Sequence, residues 1–429
     1  MKPLRIGLAG LGTVGIGVIR LLRENAESIT ARAGRPIEVV AVTARDPKKD
    51  RGEDLSSLRW YSNAAEVARD PNIDVVVELI GGSEGAAREM VEIGLSRGLP
   101  VVTANKALVA LHSETLTKLS SEHNAPLLYE AAVAGGIPAV KLTREGLAPD
   151  RLISVGGILN GTCNYILTAM RESGRDFSDI LSEAQEKGYA EADPSTDIDG
   201  WDTAHKLAIL AGIAFSPIVF DSLPVLGIRD VQGIDLQFAD ELGYRIKLLG
   251  MARSKETGKI EAWVRPCLVP EKAPIASVDD VFNAVTTLGT FSGPMTISGR
   301  GAGEGPTANA VVADLIDIAR GNELPIWGKK HSGPAIRCLP LTEVESAFYI
   351  RLVVRDESGV MAAITSVLRD HKVSVHHVSQ QDAQSGQAYV AIVTHPMSEQ
   401  SISAATKALA DLDVVHNEPL TLKIEDSLQ

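Results

Sequence analysis

The chain of 429 residues is 45% hydrophobic and carries a formal net charge of -13 at pH 7, long enough for roughly two to four domains with their own cores. So acidic a balance repels polyanions, which excludes nucleic acid and anionic membrane surfaces as partners and points to small molecules. Cys163, Cys267 and Cys338 form no C-x-x-C pair, which excludes a disulfide framework or a zinc ribbon and suits a reducing cytoplasm.

The N-terminus runs straight into a strand-like Leu4-Arg5-Ile6-Gly7-Leu8 without a signal h-region. Leu207 to Phe220, the most apolar later stretch, is interrupted by Ser216 and Pro217, so no membrane segment is expected. Ile6 to Ala9, Ile37 to Val42, Val75 to Leu79 and Val101 to Thr103 read as strands alternating with helical patterns. Strands joined by crossover helices pair in parallel, so a Rossmann-type doubly wound sheet is expected over residues 1–147. From 148 to 305 the elements lengthen, with helices expected at Cys163 to Ser173, Phe177 to Lys187 and Gly200 to Gly212. This part is read as an α+β substrate and dimerisation domain. The Gly-rich stretch Gly299 to Gly305 precedes Pro306 and a helix over Thr307 to Ala319, and a helix from 306–320 would complete the first domain. Residues 321–342 hold Pro325, Pro334 and Pro340 and read as a connector. Beyond it, residues 343–429 show a βαββαβ pattern, that of the ferredoxin-like split unit, separable from what precedes it.

Gly10-Leu11-Gly12-Thr13-Val14-Gly15 is a G-x-G-x-x-G between the first strand and a helix, where backbone N–H groups and the helix dipole hold a pyrophosphate. At the end of the second strand, where an NAD enzyme places an acid against the ribose hydroxyl, stands Thr43-Ala44-Arg45-Asp46-Pro47-Lys48-Lys49. Arg45 and the lysines favour a 2'-phosphate, hence NADP(H) over NAD(H), although Asp46 could still meet a hydroxyl. Farther on, Gly188-Tyr189-Ala190-Glu191-Ala192-Asp193-Pro194-Ser195-Thr196-Asp197-Ile198-Asp199-Gly200-Trp201-Asp202 runs into Thr203-Ala204-His205-Lys206. On a helix starting near Gly200, Asp202 and Lys206 share one face; spacing alone favours reading them as an exposed ion pair.

That stretch, from Ala184 onward, resembles the signature of the homoserine dehydrogenase family. It is joined in the family's order by Thr103-Ala104-Asn105-Lys106, by Glu130 to Pro138 and by Gly157 to Thr162. The resemblance implies interconversion of aspartate semialdehyde and homoserine. It makes Lys206 the proton donor, places Lys106 against cofactor and substrate, and gives Glu191 and Asp202 to the amino-acid end, with Asn160, Thr162, Tyr189 and Asp197 lining the pocket. Asp202 stands with Lys206 and Lys106 among the catalytic residues. Gly10, Gly12, Thr13, Val14, Gly15, Arg45, Thr103, Lys106, Gly188 and Gly305 are the expected cofactor contacts. It further implies sodium or potassium held by Glu130 and by the carbonyls of Val133, Gly135 and Ile137, oxygen donors of the kind hard cations prefer.

The chemistry suits these residue types, since hydride delivery to an aldehyde leaves an alkoxide that needs a cation or proton donor. In the reverse direction the same lysine, or a relay through Asp202, must accept the hydroxyl proton. The substrate's ammonium needs carboxylates and its carboxylate needs donors such as the Thr162 hydroxyl. Phe348 to Ala362, with Val373-Ser374-Val375 and Gln380, resembles an ACT domain, with Ser358 where that family usually has proline before Gly359. ACT domains bind amino acids at paired interfaces, which implies a homodimer or homotetramer under feedback control, threonine being the first candidate effector. Two rival readings are weaker. An aspartate semialdehyde dehydrogenase would need a thioester-forming cysteine, for which only Cys163 offers itself, and a non-catalytic regulator would leave Lys206 without a task.

Overall fold

The computed structural model describes residues 2–255, 258–322, 324–330, 333–383 and 386–428. The chain forms two compact units, each assembled from three stretches. One comprises Met1–Leu159, His205–Ser222 and Asn283–Arg337, the other Asn160–Ala204, Leu223–Phe282 and Cys338–Gln429.

In the first unit, strands β1 (Leu4–Ala9), β2 (Ile37–Thr43), β3 (Arg59–Trp60), β4 (Val75–Glu78), β5 (Val101–Thr103) and β6 (Leu127–Leu128) form one sheet in the order β3-β2-β1-β4-β5-β6. Every adjacent pair is parallel, which is the strand order of a dinucleotide-binding fold with its switch point beside β1. The Val-rich β4 and β5 are buried throughout, as strands covered by helices on both faces must be. Helix Glu304–Arg320 returns from far along the chain to this core. Its Ala308, Val311 and Leu315 pack in one cluster with Leu4 and Leu8 of the sheet and Ile16 and Ile19 of helix Thr13–Glu24. The two helices approach closely at Gly17, where a Cβ would lie 2.7 Å from Glu304 Cγ. The helix begins at Glu304, three residues before the expected Thr307, so Pro306 falls at its third position, still within the first turn where no N–H partner is lost.

Strand β7 (Leu152–Ile158) pairs antiparallel with strand Phe282–Gly289, which is followed in the sheet by Gly293–Arg300. Gly157 sits at φ +144°, and a Cβ there would lie 2.0 Å from the Ala284 carbonyl, so only glycine lets these strands meet. The stretch read as a connector is packed: Trp327 is buried against Gly212 and its indole donates to Thr117 Oγ1 at 2.9 Å, while the Tyr129 hydroxyl donates to the Ile326 carbonyl.

In the second unit, β8 (Tyr244–Ser254) and β9 (Ile260–Pro270) form a long antiparallel pair. Beyond β9 the order is Leu420–Ile424, Phe348–Arg355, Gln387–Thr394, Val375–Asp382. Those four strands, with helices Val360–Asp370 and Glu399–Ala410, reproduce the expected βαββαβ order around a core that includes Ile350, Leu352, Ile364, Ile392 and Leu409. The C-terminal strands, expected as a separable domain, also make contacts with the elements before them. Leu420–Ile424 pairs in parallel with β9 at Lys423↔Cys267 and Ile424↔Leu268, and buried polar groups bridge the two parts. Asp235, fully buried in helix Gly233–Glu241, accepts from Arg351 Nε at 2.8 Å and from the Tyr349 hydroxyl at 2.9 Å. Arg265 of β9 makes a two-pronged pair with Glu399 at 2.6 and 2.8 Å.

Candidate active site

Among the cofactor-end residues, all in the first unit apart from Gly188, the three glycines of the first turn have different surroundings. Gly10 lies at φ +99° with the Leu79 carbonyl 2.3 Å from where a Cβ would be, and a Cβ on Gly15 would strike the Gly10 carbonyl at 2.0 Å. Gly12 faces open space and, like Thr13, is exposed. The tight turn, the open approach and the helix-to-strand contact are the three uses a pyrophosphate-binding turn makes of glycine. Gly12 caps helix Thr13–Glu24 without a side-chain acceptor, an arrangement that suits an anion at the first N–H groups, with Val14 in that first turn.

Arg45 is exposed at the end of β2. Asp46, the one acid near that position, is turned back on its own loop, where Oδ1 accepts the Lys48 N–H at 2.9 Å. At the ends of β4 and β5, Glu78 is buried, accepts the N–H groups of Ile80 and Gly81 at 2.7 and 3.0 Å, and accepts the Thr103 hydroxyl at 2.5 Å. Thr103 Oγ1 in turn accepts the Asn105 N–H at 3.0 Å, and Asn105 Oδ1 caps helix Lys106–Leu111 through the Leu108 N–H. Lys106, half-buried, stands as the first residue of that helix. Sequence reasoning had missed Glu78; the available signal was an acid ending an otherwise Val-only parallel strand.

Gly305 lies at the second position of helix Glu304–Arg320 with open space beside it. In the loop Glu130 to Ile137, Ala134 and Gly135 adopt consecutive positive φ of 55° and 52°. The Glu130 carboxylate is buried and each of its oxygens accepts an N–H at the next helix start, Val140 at 2.9 Å and Lys141 at 2.8 Å. Burial and the Asp314 carboxylate push its pKa up to about 7, and burial raises that of Asp314 to about 6. Asp314, missed from sequence, accepts the Glu130 N–H at 2.8 Å; its signal was an acid on the buried face of a helix beside Ala310, Val311 and Leu315. Lys206 also belongs to this unit. It is 9% exposed, and Nζ donates at 2.7 Å to the Leu159 carbonyl, which accepts Asn283 Nδ2 at 2.9 Å as well.

The amino-acid-end residues lie in the second unit. Asn160 caps helix Gly161–Ser173 through Oδ1, which accepts the Cys163 N–H at 2.8 Å. Its Nδ2 donates to Asp197 Oδ1 at 2.7 Å and to Asp202 Oδ2 at 2.8 Å, so one carboxamide draws two carboxylates together. Thr162 donates from Oγ1 to the Tyr189 carbonyl at 2.7 Å, and the Tyr189 ring meets Tyr165 edge-on at 5.0 Å. Gly188, at φ +73°, opens the loop that carries Tyr189 and the exposed Glu191, whose carbonyl accepts from Gln185 Nε2 at 3.0 Å. Helix Trp201–Ala214 carries Asp202 and Lys206 four residues apart, one in each unit. Cys163 is buried and donates from Sγ to the Asp197 carbonyl at 3.2 Å, a packing role rather than that of a thioester nucleophile. Two carboxylates around one amide suit an ammonium, and a buried lysine suits proton delivery.

Residues 138–316 match the homoserine dehydrogenase family, residues 10–130 its NAD-binding domain and residues 348–414 the ACT domain. A homoserine dehydrogenase of Pseudomonas aeruginosa is 43% identical over 99% of both chains. The crystal structure of one from Thiobacillus denitrificans is 43% identical and superposes with a TM-score of 0.93 over 100% of this chain and 99% of that one. A hyperthermophilic archaeal homoserine dehydrogenase mutant solved in complex with NADPH is 26% identical, with a TM-score of 0.62 over 74% of this chain and 97% of its own. With an NAD-binding domain, a catalytic region and an ACT domain matched in order along its length, the chain belongs to the homoserine dehydrogenase family of oxidoreductases of amino-acid biosynthesis.

Proposed function

We propose that the chain reduces L-aspartate 4-semialdehyde to L-homoserine with NADPH preferred over NADH, Lys206 supplying the proton. The observation that carries the substrate end is the Asn160 carboxamide holding Asp197 and Asp202. The nicotinamide cofactor, when bound, supplies the hydride. Asp202 with Glu191 takes the substrate ammonium, Thr162 and Asn160 orient the pocket wall, and Tyr189 closes it. Lys206 gives a proton to the oxygen that gains charge, and Lys106 adds a second cation at that end. In the oxidative direction Lys206 takes the hydroxyl proton back. The NADP preference rests on Arg45, exposed at the end of β2, and on Asp46 being engaged with its own loop instead of a ribose hydroxyl. The test is NADPH oxidation with aspartate semialdehyde by the native chain and by Lys206→Ala. We expect turnover to fall about 100-fold or more with the Michaelis constant for NADPH nearly unchanged; turnover near native would remove Lys206 from the reaction.

The loop Glu130 to Ile137 fits a sodium or potassium ion, because successive left-handed residues at Ala134 and Gly135 fold a short run of carbonyls back on itself beside a buried carboxylate. Glu130 and the carbonyls of Val133, Gly135 and Ile137 would hold the ion, whose role is structural. Replacing potassium and sodium by choline at constant ionic strength should then lower the melting temperature. The ACT match supports an amino-acid effector, threonine first, acting on a homodimer or homotetramer. Light scattering with and without threonine, beside inhibition assays, tests both. Among the described residues no helix is long and apolar enough to cross a membrane; the three buried cysteines support a reducing place, the cytoplasm.

A further inference from the structure

The loop after β2 is fastened at two places. At its far end Glu53 accepts from Arg20 Nε at 2.9 Å and from Arg23 Nη1 at 3.1 Å, both on helix Thr13–Glu24. Two residues before Glu53 stands one side chain that no site reading uses. Arg51 Nε donates to the Leu11 carbonyl at 3.0 Å, Nη2 to the Asp46 carbonyl at 2.6 Å and Nη1 to the Lys49 carbonyl at 2.7 Å. Its guanidinium also lies over the Trp60 ring of β3, 6.0 Å from the centroid. One planar cation thus spans two loops: Leu11 lies inside the glycine turn, and Asp46 and Lys49 flank the basic residues that follow Arg45. The fork geometry matters, because three nitrogens at fixed angles are satisfied by three carbonyls from separate places, which a single ammonium cannot reproduce.

We propose that Arg51 is a positioning residue for cofactor discrimination: it ties the glycine turn to the loop after β2 and so holds Arg45, Lys48 and Lys49 at a fixed distance from the pyrophosphate-binding turn. This deepens the NADP preference and rests on it. The pyrophosphate and the 2'-phosphate belong to one molecule, so a basic loop free to drift relative to the glycine turn would meet the 2'-phosphate only part of the time. NADH has no group there and is indifferent to the drift.

The experiment measures Michaelis constants and turnover with NADPH and NADH, and melting temperatures, for the full chain, Arg51→Met, Arg51→Lys and Arg45→Ala. For both Arg51 variants we expect the NADPH constant to rise about 10-fold while the NADH constant moves less than about 2-fold, with turnover and melting temperature held. Equal effects on the two cofactors, or none, would overturn the proposal. So would recovery of native NADPH affinity in Arg51→Lys, since a point charge would then suffice. Selectivity lost in Arg45→Ala but kept in Arg51→Met overturns the tie alone. Selectivity kept in Arg45→Ala but lost in Arg51→Met removes Arg45 as the phosphate ligand while supporting the tie, with Lys48 and Lys49 as the held groups.

Discussion

Asn160 performs two tasks with one side chain, capping a helix with its oxygen and gathering Asp197 and Asp202 with its nitrogen. Asn160→Ala should therefore be felt twice. Loss of the cap costs about 1 kcal/mol, visible as a lower melting temperature. The two carboxylates, no longer bridged, should spread and raise the Michaelis constant for aspartate semialdehyde while leaving that for NADPH alone. A melting shift without any change in substrate affinity would reduce Asn160 to a cap. At this scale the sequence disclosed chemistry better than support. Lys206, Asp202 and Glu191 stood out because charged residues clustered in a specific signature. Glu78, Asn283 and Asp314 did not, because what distinguishes them is burial beside a partner from a distant segment, Thr103, Leu159 and Glu130 in turn, and a one-dimensional pattern carries no information about that.

Strands rich in β-branched residues and the glycine turn were legible, whereas a strand carrying charges and a proline was not. The four C-terminal strands and the four expected in the dinucleotide fold stand where the sequence put them, while the two-residue β3 and β6 were too short to read. Strand β9 is buried at all eleven positions, contains Glu261 and Arg265 and is interrupted by Pro266, so nothing in its composition marks it as a strand until β8 and Leu420–Ile424 are seen on its two sides. That central place has energetic consequences. Removing the chain after Pro340 would uncover one edge of β9 and strip Asp235 of Arg351 and Tyr349, and an uncompensated buried charge costs about 3–5 kcal/mol. The truncated protein should aggregate or melt far below the full chain, and Arg351→Met should lose a comparable amount in denaturant titrations. A soluble truncation melting cooperatively near the native temperature would show the domain to be dispensable. Acid should act on the same region. Glu425 resists its burial because Arg253 and Lys423 stabilise its charge, which brings its pKa down to about 2 from the usual 4.5. A carboxyl depressed in the folded state contributes stability above the unfolded value and loses it as pH falls from about 4.5 toward 2. Glu425→Gln should flatten stability across that window, as measured by urea midpoints, and an unchanged slope would assign the acid sensitivity elsewhere.

At the scale of the whole molecule, the sequence reads as consecutive domains with one helix, 306–320, returning to the first, and each compact unit is made of three separated stretches. Hydrophobic periodicity reports which face of a segment is covered and never by which other segment, so apart from the returning helix this interleaving was not legible in chain order. It bears on how the protein comes into being on the ribosome. The apolar stripe of helix Thr13–Glu24 is covered by helix Glu304–Arg320, which is synthesised almost three hundred residues later. At translation rates of about 5–20 residues per second, that stripe waits roughly 15–60 s for its cover. Nascent chains arrested before Glu304 should therefore be protease-sensitive and held by chaperones, and protection should arise abruptly once Arg320 has cleared the exit tunnel. A helix made early is among the last parts of the fold to be finished.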